Sequence, residues 1–238
     1  MKLTSVHNDK VKYWYNLKNK KFRDQEHCFL IEGDHLINEA QKSNLIKETI
    51  SIVDESADYL VTKEIMTKIS DQKSISDAVA VVNFIPEKEI KGNILILDNL
   101  QDPGNLGTII RSAVAFNFDT VVLSNTSVDV YNPKVIRASE GMIFNINIIR
   151  TDIINFLNNL DSSYLKITTE VTIGEDIKNI KYDKVALVIG NEGNGVSKEV
   201  SNICDKKVYI NMNKKCESLN AGVSASILMY EVRGSYHE

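Results

Sequence analysis

The feature that most constrains this chain is a series of short apolar runs in its back half: NILILDNL, DTVVLS, YLKITTE, KVALVIG and KKVYI. They are near-continuous rather than alternating, and helical patterns follow several of them. A strand that is apolar on both faces must be covered on both faces, which is the signature of a parallel sheet wrapped by helices. The expected class is therefore α/β. In such sheets a ligand crevice lies at the carboxyl ends of the strands. Two loops, LDNLQDPGN and VIGNEGNG, leave such ends.

Ahead of these runs, CFLIEG, KETISIV and AVAVVNFI read as strands. Helical patterns at Asp9–Asn19, Asp34–Lys42 and Thr62–Ile69 alternate with them, as in a small α/β domain. The segment IPEKEIKGN, Ile85 to Asn93, is charged and carries Pro and Gly, so the domain boundary is expected there. This gives a first domain over 1–89 and a second over 90–238.

At 238 residues, 43% apolar and 25% charged, the chain can bury a real core. No apolar run is long enough to span a bilayer, and the N-terminus lacks the apolar stretch of a signal peptide. Cys28, Cys204 and Cys216 are scattered and odd in number, which fits a reducing cytoplasm better than a disulfide framework. The four histidines show no ligand spacing, so no metal site is expected.

The net charge of −4 hides an asymmetry. Residues 1–23 carry Lys2, Lys10, Lys12, Lys18, Lys20, Lys21 and Arg23 against Asp9 alone; seven positive charges less one negative give +6. Tyr13, Trp14, Tyr15 and Phe22 are interleaved. A basic strip with aromatics is one footprint of an RNA-binding surface. It is equally the pattern of a solvated amphipathic helix whose aromatics enter a core. Residues 24–89 are net acidic.

Three stretches carry the chemistry. In DNLQDPGNLGTIIRSA, Pro103 and Gly104 make a turn that Asn105 can cap, and a helix follows. Arg111 lies roughly 140° from that helix's apolar stripe, at about 100° per residue, and its side chain leans back toward the turn. In VIGNEGNGVS, Gly190, Gly193 and Gly195 let backbone approach a ligand closely. The order G-x-x-G-x-G matches neither the dinucleotide fingerprint nor the phosphate-binding loop of nucleotide hydrolases. Glu192, set among glycines and asparagines, is hard to explain by packing. In INMNKKCESLNAGVSASILMYE, a strand end passes through a polar loop into a terminal helix. Ser218 is a candidate N-cap there, and Leu219, Val223 and Ile227 form the expected apolar stripe.

In order and spacing the three stretches resemble the motifs of the SpoU-type (TrmH-like) RNA 2′-O-ribose methyltransferases of the SPOUT superfamily. YNPKVIRASEGMIFNI is similar to that family's Arg-Ala-Ser-x-Gly segment, and LKNKKFRDQEHCFLIEGDHLINEA resembles the RNA-binding domain preceding the catalytic one. The resemblance implies a small N-terminal α/β RNA-binding domain followed by a parallel-sheet catalytic domain. It implies a C-terminal trefoil knot, a homodimer and S-adenosylmethionine held by the knotted loops. By position, Gly190, Gly193, Ile210, Met212 and Leu219 would hold that cofactor, and Asn105, Arg111, Glu192, Ser218 and Asn220 match the family's polar motif residues. The sequence departs at Asn211, where the family usually has Pro, and at Lys214, where it has Gly.

The implied reaction is 2′-O-methylation of a ribose in structured RNA, with 23S ribosomal RNA favoured over tRNA. The alternative class is a non-catalytic RNA-binding module on the same fold. The family assigns activation of the ribose hydroxyl to the motif-one arginine, Arg111. A guanidinium is always protonated and has no acceptor. Either it loses its proton in a desolvated site, or it stays charged, grips a phosphate and stabilises the forming alkoxide. The second is preferred, with Glu192 orienting Arg111.

Overall fold

In a computed structural model the chain is described over residues 1–72, 74–170, 174–180, 182–213 and 215–232. It divides into two compact units. One is Met1–Pro86 with Tyr131–Phe144; the other is Glu87–Val130 with Asn145–Glu238. The first is thus not contiguous in sequence: besides the residues before the Ile85–Asn93 segment it takes in Tyr131–Phe144. The returning segment is anchored by aromatics. Tyr131 stacks on Phe84 with ring centroids 4.0 Å apart, and its hydroxyl accepts from the Ile85 N–H at 2.9 Å.

In the first unit the elements are β1 (Lys2–Leu3), α1 (Asp9–Asn16), α2 (Lys20–Glu26), β2 (Cys28–Glu32), α3 (Asp34–Lys42), β3 (Ile46–Ser51), β4 (Tyr59–Val61), α4 (Lys63–Ile69) and β5 (Ala78–Asn83). The sheet order is β1-β4-β3-β5-β2, with β5 antiparallel to both neighbours. Asn8 caps α1, and Thr62 caps α4. Val11 and Trp14 enter a core with Leu17, Ile50, Ile65 and Val79.

The basic strip is mostly ion-paired, half with local acids and half with acids from elsewhere in the unit. Lys10 pairs with Glu48, Lys12 with Asp9, Lys18 with Asp71 and Lys20 with Asp24. Trp14 is fully buried, and Arg23, 4% exposed, donates to the Leu17 and Lys18 carbonyls. The strip is therefore largely a packed, ion-paired surface.

The second unit continues with β6 (Asn93–Leu97), α5 (Pro103–Ala115) and β7 (Phe118–Ser124). After α6 (Pro133–Ala138) of the returning segment come β8 (Asn147–Thr151), α7 (Ile153–Asn159), β9 (Tyr164–Thr169), β10 (Glu175–Asp176), β11 (Lys184–Ile189), α8 (Lys198–Ile203), β12 (Lys206–Tyr209) and α9 (Ala221–Val232). The described strands form one parallel sheet in the order β10-β12-β9-β11-β6-β7-β8. Ile94–Leu97, Val121–Leu123 and Val185–Val188 have no exposed surface, as the non-alternating apolar runs require. From β6 the chain runs outward through β7 and β8, and β11 later returns to pair on β6's other side. The loops after β6 and β11 thus meet at a topological switch point, the place where open α/β sheets bind ligands.

Candidate functional site

The loop after β6 is tied to the loop after β11 at its first residues. Asp98, 9% exposed, accepts from the Ser197 N–H at 2.8 Å. The Asn191 amide donates to the Asn99 carbonyl at 2.9 Å, and its oxygen accepts from the Gly193 N–H at 2.9 Å. Asp102 then caps α5, its Oδ1 accepting from the Asn105 N–H at 2.8 Å, with Pro103 as first helical residue. The cap is thus Asp102 rather than Asn105. This leaves the buried Asn105 side chain available for other partners.

Those partners join the three motifs. Asn220 Oδ1 caps α9 by accepting from the Gly222 and Val223 N–H groups at 2.9 and 3.3 Å. Its Nδ2 must then donate, and it does so to Asn105 Oδ1 at 2.9 Å. Asn105 Nδ2 in turn donates to Glu192 Oε1 at 3.1 Å. Each amide has one donor end and one acceptor end, so the helix N-terminus fixes the direction of the whole chain. It ends on a group that must accept, the Glu192 carboxylate. Glu192 also takes the Gln101 and Asp102 N–H groups at 3.2 and 3.0 Å. Burial pushes its pKa up, but the hydrogen bonds from Asn105, Asp102, its own N–H and Gln101 outweigh that and hold it below the usual value.

In α9 the cap is Asn220, not Ser218. The buried face is Ala221, Gly222, Ala225, Leu228, Met229 and Val232, while Val223, Ile227 and Tyr230 are exposed. The expected stripe through Val223 and Ile227 is therefore the outer face. Small residues give the close packing on α5. A Cβ on Gly222 would sit 3.5 Å from Asn105 Oδ1, and Ser226 meets Ser112 at 2.8 Å between hydroxyl oxygens.

A cavity of 320 Å³ lies at the same strand ends. Of the residues singled out from the sequence, Gly190, Glu192, Gly193, Ile210, Met212, Ser218 and Leu219 line it. Asn105 and Asn220 stand behind it in the amide chain. Asn211 is exposed, and Lys214 lies outside the described residues. Arg111 is exposed on α5 and makes no hydrogen bond or ion pair among the described residues, so Glu192 does not orient it. Missed in the sequence were Thr169, the last residue of β9, and Glu170 just after it; both also line the cavity, and strand polarity could have pointed to this carboxyl end.

The glycines divide the work unevenly. A Cβ on Gly190 would lie 2.0 Å from the Gly195 carbonyl carbon, so the loop closes only over glycine. Gly195 carries the left-handed conformation, at φ +67°. Gly193 has neither constraint; its Cβ would meet only Asn191 Oδ1, at 3.5 Å. The requirement for positive φ thus falls on Gly195 and not on Gly193.

Sequence comparison matches residues 92–230 to the SpoU rRNA methylase family and residues 8–80 to the MRM3-like substrate binding domain. The 23S rRNA (guanosine(2553)-2′-O)-methyltransferase RlmP of Bacillus subtilis is 34% identical over 98% of this chain and 99% of its own length. A putative TrmH family tRNA/rRNA methyltransferase of Staphylococcus aureus is 39% identical over 64% of this chain and 62% of its own length. The structure of an AdoMet-bound rRNA methyltransferase from Sinorhizobium meliloti superposes with a TM-score of 0.87 at 25% identity, covering 97% of this chain and 96% of that one. With its parallel-sheet unit matched across the three motif loops and its whole length matched by RlmP, the chain belongs to the SpoU rRNA methylase family.

Proposed function

We propose that this chain is an S-adenosylmethionine-dependent methyltransferase acting on a ribose 2′-hydroxyl of 23S ribosomal RNA. The observation that carries this reading is the chain Glu192–Asn105–Asn220, which locks three loops around one cavity. The cavity fits the cofactor. Its volume is at the lower end of the roughly 300–1,000 Å³ usual for small-molecule sites. Ile210, Leu219 and Leu228 offer an apolar slot, and the Gly190–Gly195 backbone a polar edge close enough to read a base. The cofactor supplies an electrophilic methyl on a sulfonium.

The remaining work falls to side chains of this protein. Arg111, unpaired and one helix face away from Asn105, keeps its charge, grips the phosphate beside the target ribose and stabilises the alkoxide as it forms. Asn105, held at both ends, orders the turn beneath. Ser218 borders the methyl-transfer space. The likeness to RlmP supports 23S rRNA as substrate, with tRNA as the alternative.

The same reading includes a trefoil knot formed by the C-terminal segment, supported by the passage of the chain from β11 past β9 to β12 and back onto α5 through α9. It includes a homodimer, for which the exposed Val223, Ile227 and Tyr230 of α9 are the apolar face to be covered. It also places the protein in the cytoplasm with its RNA. Among the described residues no helix is long and apolar enough to cross a membrane.

The test is methyl transfer from radiolabelled cofactor to deproteinised 23S rRNA and to tRNA, with the ribose mapped by primer extension. Label in 23S rRNA is expected. Label confined to tRNA moves the substrate to the alternative. Cofactor binding with no transfer to either points to the non-catalytic module.

A further inference from the structure

The first unit has a small open cavity at the edge of its core, against which Phe22 packs. It measures 240 Å³ and lies at the turn between α1 and α2, lined by Asn16, Asn19, Lys21, Phe22 and Gln25. The side chains of Asn16, Lys21 and Gln25 are exposed and make no hydrogen bond or ion pair among the described residues. Asn19 spends its oxygen on capping α2, accepting from the Lys21 N–H at 2.9 Å. Phe22 is half-buried and braced by Tyr13 edge-on at 5.7 Å.

The turn is rigid. Arg23 donates from Nη1 to the Leu17 carbonyl at 2.9 Å and to the Lys18 carbonyl at 2.7 Å. Leu17 is itself buried in the core at 1% exposure. The neighbouring cations are committed elsewhere: Lys18 Nζ donates to the Ser70 carbonyl at 2.6 Å, and Lys20 pairs with Asp24. Lys21 remains.

This set has a definite chemical complement. A carboxamide presents donor and acceptor side by side, as a nucleobase edge does. An aromatic ring stacks any base, and a lysine meets one phosphate. In a helix the base edges are already paired and the faces already stacked, so the occupant must be unpaired. We propose that this cavity takes one unpaired nucleotide of the substrate RNA, its base against Phe22 and the Asn16 and Gln25 amides and its phosphate on Lys21. The inference rests on the reading of the chain as an RNA methyltransferase and adds a recognition point within the first unit.

The experiment uses the full chain and two RNA probes of equal length and charge, a hairpin with an unpaired loop and a fully paired duplex, read by fluorescence anisotropy. Wild type should prefer the hairpin. Asn16→Ala with Gln25→Ala should weaken hairpin binding about tenfold or more, on the scale of a lost base contact, and leave duplex binding unchanged. Lys21→Ala should reduce the hairpin's salt slope by about 0.7. These are exposed positions, and a thermal melt with unchanged cofactor affinity confirms an intact fold. Equal weakening on both probes, or none, overturns the site. If wild type methylates rRNA while the double variant binds as wild type does, the nucleotide site falls and the methyltransferase reading stands. A wild type that binds neither probe and methylates no RNA overturns both.

Discussion

Two carboxylates, one in each unit, are held in opposite ways. Glu48 is 9% exposed, paired with Lys10 and accepting from the buried Trp14 Nε1 at 2.9 Å. Its charge is met by a cation, and its role is to let a tryptophan indole enter the core without an orphaned N–H. Glu192 sits in an exposed loop and is held by neutral donors: the Asn105 amide and the backbone of Gln101, Asp102 and Glu192 itself. No described cation pairs with it, and Arg111 on the adjoining helix is left unpaired. The first arrangement stabilises a fold. The second holds loops in register, tying the Gly190–Gly195 loop to the start of α5.

The sharpest break in that comparison comes from the glycines beneath Glu192. Gly190→Ala places a Cβ against the Gly195 backbone, which cannot yield like the end of a flexible side chain. Cofactor binding, read by calorimetry on folded protein, should be lost. Gly193→Ala meets only the Asn191 amide at ordinary contact distance and should bind near normally. Equal effects of the two would mean that the loop is not built as described.

Arg111→Ala comes next. If the unpaired guanidinium serves the RNA, cofactor affinity should stay near wild type while single-turnover methyl transfer falls at least about a hundredfold, the scale for removing a preorganised charge stabiliser. Arg111→Lys separates two mechanisms. A lysine keeps the charge but loses the planar fork, so it should rescue poorly at every pH if gripping is the role. Recovery as pH rises would instead indicate proton abstraction. Undiminished turnover in Arg111→Ala would remove it from the reaction.

Glu48→Ala tests the other member of the pair. It leaves the Trp14 N–H buried without an acceptor, at a cost of about 1–3 kcal/mol. Thermal or urea unfolding should show that loss, and calorimetric cofactor affinity should not change. A stability unchanged within error would mean that Trp14 finds another acceptor.

The difference between the units also explains what could be read in advance. The parallel sheet was legible because unbroken apolar runs admit few other folds, and the loops at its carboxyl ends followed from strand polarity. For the basic strip, aromatics entering a core was one of the two readings, but its ion pairs were not legible, because Glu48 and Asp71, which occupy Lys10 and Lys18, lie far along the chain. Caps were misplaced by a few residues, Asp102 for Asn105 and Asn220 for Ser218, where several cap-forming side chains compete in one turn. The face of α9 was inverted because the helix is apolar on both sides. Packing buries the face of Ala221, Gly222, Ala225, Leu228 and Met229, which no periodicity distinguishes. The return of Tyr131–Phe144 to the first unit depends on rings meeting across distant sequence.

The smallest expected effect is the most diagnostic of the comparison. Glu192→Gln keeps the shape but replaces a double acceptor with a group that has one acceptor oxygen. Asn105, Gln101 and Asp102 all donate toward this position, so one donor must face an amide NH₂. Because the loop is exposed, unfolding stability should barely move, unlike the response at Glu48. Register should suffer instead, and methyl transfer should fall by about tenfold, near 1.4 kcal/mol, as for a charge-assisted hydrogen bond lost. The pH dependence gives an independent check. Hydrogen bonding holds the folded Glu192 pKa below its usual 4.5. Its contribution is therefore complete above that value and is lost as pH falls below it through the folded pKa. Wild-type cofactor affinity should weaken over that acidic window, and the Glu192→Gln protein should lack this part of the pH response. A variant whose profile overlays that of wild type would mean that the carboxylate's charge is incidental, and that Glu192 is a structural residue of the same kind as Glu48.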